Sequence, residues 1–398
     1  MVNIEDIEKA YRNIKPFVHK TPLIHSNSFS KMFGAEVYLK AENLQKTGSF
    51  KVRGAFNKMV DIKDGKVIAA SMGNHAQGVA FAAGRLGIFA KIVMPVTTPI
   101  IKEEATRGYG AEVVLYGESF NDALNYALSQ KGYTFIHAFD DDEVIAGQGT
   151  VGVEIMEDFR DIDIILVPVG GGGLISGISV AVKSMSPKTT VIGVQTESAP
   201  SVCLSFKGKR IIGKTPLSTL ADGIAVGQVG ERTLEVMNRY VDDMVLVSED
   251  SIAMAILLFL ERKKFVVEGA GAVPLAALTE NRERFKGKTI VLVVSGGNID
   301  FTLIDRIIHK GLVISGRIGV FEVTVDDLPG RLHSLTGVIS EHRGNIMNVV
   351  HDRLAEDLSV GKTKVVFTVE TRGREHLEDI LSDLIKNGFN VKKRGNLP

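Results

Sequence analysis

The stretch from Ile162 to Val169 is apolar but for Asp163, and four consecutive glycines, Gly170 to Gly173, follow it. A run this short and this apolar reads as a strand buried on both faces, which is the habit of parallel sheets. The helical stretch 174–184 comes next, so the glycines turn a strand straight into a helix. The same rhythm recurs along the chain. Strands are expected at 37–39, 66–70, 90–94, 112–115, 135–138, 191–195 and 289–294. Helices are expected at 76–86, 100–107, 121–130, 143–159 and 251–264, and an amphipathic helix carrying Ile4, Ile7, Tyr11 and Ile14 opens the chain. Strand–helix alternation of this kind predicts an α/β protein, its parallel sheets covered on both faces.

The pattern changes after about residue 316. Strand 319–325, helix 330–342, strands 344–353 and 362–370, helix 374–387 and a short final strand follow in the order β-α-β-β-α-β. That order is the ferredoxin-like signature and predicts a separate C-terminal domain at 316–398, after a first domain at 1–315.

Lysine plus arginine equals aspartate plus glutamate at 47 each, so no net field steers the chain to nucleic acid or an acidic membrane. A single cysteine, Cys203, excludes an intrachain disulfide and a cysteine-based zinc site. The acidic start Met1-Val2-Asn3-Ile4-Glu5-Asp6 does not read as a signal peptide, and runs such as Val291–Val294 are strand-sized rather than membrane-sized. A soluble, cytoplasmic protein is expected.

Three glycine-bearing turns stand at strand ends. At Gly170 to Gly173 the backbone can approach an anion closely, and the following helix N-terminus favours a phosphate; a tight turn with nothing bound reads the same way. Ser71-Met72-Gly73-Asn74-His75 offers a hydroxyl, backbone N–H groups and an amide at the edge where open α/β sheets bind ligands. It suits a carboxylate, with Asn74 reaching a phenolic oxygen; alternatively Asn74 caps the helix. Ser295-Gly296-Gly297-Asn298 ends another apolar strand. A fourth stretch, Gly208 to Thr215, matches the P-loop pattern G-x-x-x-x-G-K-T, but no buried strand precedes it and no convincing helix follows, so it reads as a basic surface loop.

Lys51 lies in Gln45-Lys46-Thr47-Gly48-Ser49-Phe50-Lys51-Val52-Arg53-Gly54, directly after an aromatic residue. Packing by Phe50 and the apolar run opening at Ala55-Phe56 would strip water from its ammonium, lower its pKa and make it a nucleophile. A solvated surface lysine is the plainer reading. Together, a reactive lysine, a phosphate cradle, a carboxylate loop and a hydroxyl at a further strand end suit pyridoxal 5'-phosphate, whose aldehyde, phosphate, ring oxygen and ring nitrogen need such partners.

Ser49–Ala55, Ser71–Gly78, Gly170–Leu174 and Ser295–Asn298 strongly resemble the threonine dehydratase (threonine ammonia-lyase) family, over nearly all of residues 1–315. The resemblance implies the second fold type of pyridoxal phosphate enzymes, shared with serine racemase and tryptophan synthase β. Residues 1–315 would then form two open parallel-sheet subdomains of the tryptophan synthase β-like type, the smaller at roughly 52–150. The implied reaction is deamination of L-threonine to 2-oxobutanoate and ammonia by α,β-elimination of water. The resemblance makes Lys51 the covalent anchor and general base and packs Phe50 on the cofactor ring. It puts Asn74 on the ring oxygen, Gly170, Gly171, Gly172, Gly173 and Leu174 on the phosphate, and Ser295 on the ring nitrogen. The substrate carboxylate would rest on Ser71, Gly73, Asn74 and His75.

A serine at the ring nitrogen donates to the neutral form, a shallower electron sink than an aspartate would make, which favours prompt elimination. The last 80 or so residues resemble an ACT domain, an amino-acid-binding regulatory module. Its effector loop would carry Leu328, Pro329 and Gly330, facing Asn345 and Ile346; Pro329-Gly330 also reads as a plain strand-to-helix turn. Thr219–Gly223 resembles a cation loop of serine racemase, but Ser218 stands where an acid is expected, leaving Asp222 as at most a weak cation holder. A homodimer or homotetramer is expected. Rival readings are serine dehydratase or serine racemase activity, a non-catalytic amino-acid sensor, and a P-loop nucleotide binder.

Overall fold

Short apolar runs become strands and the alternating segments become helices in the computed structural model, which describes residues 1–63, 65–354 and 358–393. The chain divides into two compact units, Met1–Ile299 and Asp300–Pro398. In the first lie β1 (Leu23–His25), β2 (Glu36–Ala41), β3 (Lys66–Ala70), β4 (Phe89–Met94), β5 (Glu112–Leu115), β6 (Thr134–Phe135), β7 (Ile164–Pro168), β8 (Thr190–Thr196), β9 (Asp243–Val247) and β10 (Thr289–Val294).

They make two sheets, a larger one in the order β1-β2-β10-β7-β8-β9 and a smaller one in the order β5-β4-β3-β6. Every pairing is parallel except β1 with β2. All five residues of β7 are buried, as a central parallel strand requires. Helices Asp142–Asp158 and Gly173–Met185 pack against the larger sheet through Val151, Ile155, Ile175 and Ile178. The smaller sheet has its own core, in which Val67, Ala69 and Ile92 meet Ala76, Val79 and Ala83 of helix Asn74–Leu86.

The second unit begins with helix Phe301–Ile314 and continues with β11 (Ile318–Asp326), helix Arg331–Glu341, β12 (Asn345–Asp352), β13 (Lys362–Glu370), helix Arg374–Lys386 and β14 (Asn390–Lys393). The sheet order is β12-β13-β11-β14, all antiparallel. Leu335, Ile339, Leu377, Ile380 and Leu384 from the two helices cover Phe321, Val323 and Phe367. The β-α-β-β-α-β order read from the sequence is the order observed.

Two expectations need correction. The strand expected at 135–138 is Thr134–Phe135; Ile136 N–H still reaches the Ile68 carbonyl of β3 at 2.9 Å, and the chain then bends away at His137, whose Nδ1 accepts the next two N–H groups. The helix expected at 251–264 is regular only over Glu249–Leu258. Its last turn, Phe259–Lys263, widens to a π-turn, and Lys264 ends it in a left-handed conformation at φ 59°. No helix among the described residues is long and apolar enough to cross a membrane.

Candidate active site

Ser71, Gly170 and Ser295 each follow the C-terminal end of a parallel strand, β3, β7 and β10, so two sheets open their ligand-binding edges toward one cleft. Thr47 and Gly48 take left-handed conformations, at φ 63° and 69°, to turn the chain into the helix Lys51–Met59. Glycine suits position 48, where φ is left-handed and a Cβ would run into Asn298 Oδ1. The loop is stitched to the strand-end turn after β10. Phe50 N–H donates to the Ser295 carbonyl at 3.1 Å and Gly297 N–H to the Gly48 carbonyl at 2.9 Å. These bonds put Lys51 and the buried Ser295 in one corner.

Lys51 Nζ donates to the Ala138 carbonyl at 2.9 Å and lies 5.2 Å from the centre of the Phe50 ring. Burial pushes its pKa down to about 8, and the Glu268 carboxylate restrains the fall. A lysine with so depressed a pKa supplies free amine near neutrality. Ala138 is available because the chain has left β6, and His137 Nδ1 props that bend by accepting the N–H groups of Phe139 (3.2 Å) and Asp140 (2.7 Å).

Helix Asn74–Leu86 starts at Asn74, with Gly73 in the capping position, so Asn74 does not cap it. Its side chain instead crosses the cleft. Asn74 Nδ2 donates to Glu268 Oε1 at 2.8 Å and Oε2 at 3.0 Å, and Oδ1 accepts from Asn298 Nδ2 at 2.8 Å. Ser71 Oγ accepts the Gly73 N–H at 3.2 Å, which holds the loop ahead of the helix. The His75 ring is turned away, with Nε2 against the Ile136 carbonyl at 2.9 Å. Burial and then the charge of Lys51 lower its pKa to about 3, so the ring is neutral and only its backbone faces the loop.

The glycine turn has packing reasons of its own. A Cβ on Gly171 would enter the Phe139 ring, one on Gly173 would lie 3.0 Å from Phe139 Cα, and Gly172 sits at φ 97° with its Cβ position 2.9 Å from Thr233 Cβ. The run of glycines is therefore demanded by neighbouring chain, and its suitability for an anion rests on the helix it starts. In helix Gly173–Met185 the N–H groups ahead of Ser176, which bonds the Gly172 carbonyl at 3.0 Å, have no intrahelical acceptor. An amine close to neutral, an open helix N-terminus and a polar loop together fit a phosphorylated aldehyde. Leu174 is buried in the same turn.

Asp222 is engaged by a cationic side chain. Its carboxylate accepts from Lys102 Nζ at 2.8 Å, and no cluster of three metal-ligating side chains occurs among the described residues. The P-loop-like stretch begins at the end of helix Ser201–Gly208 and continues as irregular chain, as its context predicted. In the second unit Leu328 is exposed and Gly330, at φ 90°, precedes helix Arg331–Glu341. They do not face Asn345 and Ile346. Through β13, Asn345 is level with Ile318 and not with Asp326, the end of β11 that leads into the Leu328 loop. The two stretches sit at opposite ends of the sheet, roughly 26 Å apart at the usual rise per residue.

Two participants escaped the sequence reading, His137 and Glu268. The signal for Glu268 was present: one acid alone in the small and apolar run Phe265–Val273. The carboxyl is buried, and burial raises its pKa to about 7 against the pull of the Asn74 donors.

Residues 14–296 match the profile of the pyridoxal-phosphate dependent enzyme family. An L-threonine ammonia-lyase of Thermotoga maritima is 50% identical over 402 residues, covering 98% of this chain and 99% of that protein. The processed form of threonine deaminase isoform 2 from Solanum lycopersicum superimposes with a TM-score of 0.74 at 40% identity, covering 77% of this chain and 87% of that one. Maize serine racemase does so with a TM-score of 0.73 at 34% identity, covering 79% and 98%. With its desolvated lysine, its helix-terminal glycine turn and a profile match running from the first helix to the turn after β10, the chain belongs to the pyridoxal-phosphate dependent enzymes.

Proposed function

We propose that this protein is a threonine ammonia-lyase, converting L-threonine to 2-oxobutanoate and ammonia with pyridoxal 5'-phosphate as cofactor. The observation that carries the reading is the Lys51 amine, desolvated and held on the Ala138 carbonyl beside an open helix N-terminus. The cofactor, when bound, supplies an electron sink for the charge left on the substrate α-carbon. Lys51 would anchor it, Phe50 would pack on its ring, and the N–H groups from Gly170 to Leu174 would hold its phosphate. Asn74 and Ser295 would meet the ring oxygen and ring nitrogen.

The substrate carboxylate rests on Ser71 Oγ and the N–H groups of Gly73, Asn74 and His75. Lys51 Nζ takes the α-proton, which burial allows because half or more of the amine is neutral at and above its lowered pKa. The neutral His75 ring adds no competing charge beside it. Residues 1–315 form the catalytic domain and 316–398 an ACT-type regulatory domain, where Leu328, Pro329 and Gly330 contribute to an amino-acid effector site. The enzyme works in the cytoplasm as a homodimer or homotetramer.

Borohydride reduction of the holoenzyme followed by peptide mapping should label Lys51; a label elsewhere, or none, overturns the assignment. The likeness to a serine racemase makes L-serine the second substrate to try. One methyl group distinguishes the two amino acids and is worth only about 1–3 kcal/mol in an apolar pocket. Turnover of L-threonine and L-serine, each with and without branched-chain amino acids, tests substrate preference and regulation together.

A further inference from the structure

Glu268 is delivered to the cleft by an unusual piece of chain. The π-turn Phe259–Lys263 and the left-handed Lys264 break the preceding helix, and the chain then runs irregularly to Glu268. π-turns are rare and frequently mark functional sites. Glu268 occupies the capping position of helix Gly269–Glu280, yet its side chain makes no capping hydrogen bond. Its N–H is tied to the Gly296 carbonyl at 3.1 Å, and the carboxyl lies so close to the Gly296 Cα that a Cβ there would strike Oε1.

No cation comes within ion-pair distance of it among the described residues; what it receives is the Asn74 amide, on both oxygens. The other end of that amide is held by Asn298, whose Nδ2 also donates to the Thr47 carbonyl at 2.7 Å. Asn74 is thus clamped at both ends, with Glu268 deciding which way its nitrogen points.

We propose that Glu268 is the positioning residue for Asn74, and that the protonation state of its carboxyl sets how firmly the site holds that amide across the cleft. This rests on the cofactor reading above. As a carboxylate, Glu268 makes a charge-assisted bond to Asn74 Nδ2 and leaves one N–H of that nitrogen for a ligand; as a neutral acid it offers a bond about half as strong. Burial drives the carboxyl toward neutrality, with Asp222 adding to the effect, while the Asn74 donors, Lys102 and Lys51 oppose it. The balance falls at about pH 7, so the clamp tightens as pH rises through neutrality.

The test compares the full-length wild type with E268Q and E268A over pH 6 to 9, reading the equilibrium binding of pyridoxal phosphate by its visible absorbance. Wild-type affinity is expected to climb through about pH 7 before the further rise that accompanies the Lys51 amine. E268Q keeps an oxygen toward Asn74 but cannot ionise, so the lower climb disappears and the upper one stays. E268A is expected to bind about tenfold more weakly across the range. A wild-type climb in E268Q, or wild-type affinity in E268A, overturns the inference.

A second readout does not need the cofactor. Unfolding of the apoprotein should show wild-type stability falling relative to E268Q as pH rises from about 4.5 to 7, because the folded carboxyl binds protons that the unfolded one has released. Equal slopes also overturn the inference. If wild type binds no pyridoxal phosphate at any pH while the slopes differ, it is the functional reading that fails and the clamp that stands.

Discussion

Arg53 and Lys51 stand two residues apart on one helix, both desolvated, and meet opposite fates. Arg53 is fully buried in a set of four charges with Lys40, Glu42 and Glu154, none of them more than 1% exposed. Its Nε and Nη2 bond Glu42 at 2.8 Å each, Nη1 reaches Glu154 at 2.7 Å and Thr150 at 3.1 Å, and Nη2 reaches Glu154 at 2.9 Å and the His19 carbonyl at 3.2 Å. Lys40 Nζ completes the set on Glu154 and the Thr21 carbonyl, both at 2.6 Å, and Thr21 bonds Glu42. Burial alone would drive Glu42 neutral, but Arg53 and Lys40 hold its pKa down.

Two cations therefore face two carboxylates, and every charge is answered. Around Lys51 the answers are missing: a carbonyl accepts its hydrogen bond, and Glu268 acts from a distance. Compensated burial makes scaffold, since every group is satisfied and nothing is gained by moving a proton. Uncompensated burial keeps a group near its titration point, where chemistry at neutral pH needs it.

The largest break in this contrast is K51A. It should abolish the borohydride label at residue 51 and cut threonine turnover by about 10³-fold or more, the scale of a general base and anchor lost together. Stability should be no lower than that of the wild type, since a poorly compensated buried amine is removed; a urea midpoint well below wild type would refute the contrast. R53M should do the reverse. Stranding Glu42 and part of Glu154 is expected to cost about 3–5 kcal/mol in urea unfolding, and a loss under about 1 kcal/mol would mean the four charges are not a scaffold.

A pH scan of apoprotein stability sharpens the comparison. The folded Lys51 amine, at about 8, binds fewer protons than the unfolded amine at 10.5. Stability should therefore rise with pH between those values, by at most about 1.4 kcal/mol per pH unit, and K51A should lack that increment. The smallest effect belongs to the exposed pair Lys102–Asp222. D222N should shift stability by under about 1 kcal/mol, and added divalent cations should not separate it from the wild type in unfolding experiments.

The motifs that set the cleft were legible because each joins a local backbone demand to a strand end. Gly48 and Gly172 need left-handed φ, and β3, β7 and β10 announce themselves as short apolar runs. Helix Gly269–Glu280 was harder to see. Gly269 to Leu278 are all buried, so the segment shows no polar face and no helical period, and Pro274 inside it argues against a helix. The same blindness hid Glu268, whose partner Asn74 is 194 positions away in the chain.

Sequence alone determined the alternating α/β unit, the β-α-β-β-α-β unit after it and the family resemblance, and it singled out Lys51 as a candidate, because periodicity, turn chemistry and motif order are local properties. Only the tertiary structure decided which buried charges are answered and which are not. Lys40, Glu42, Arg53 and Glu154 carry no mark of burial in the sequence and become a set only when four elements bring them together, and the choice between Asn74 as a helix cap and Asn74 reaching into the cleft stays open until Glu268 and Asn298 arrive from elsewhere. The physical reason is that desolvation and pairing depend on distance in space, and spacing along the chain carries no record of it.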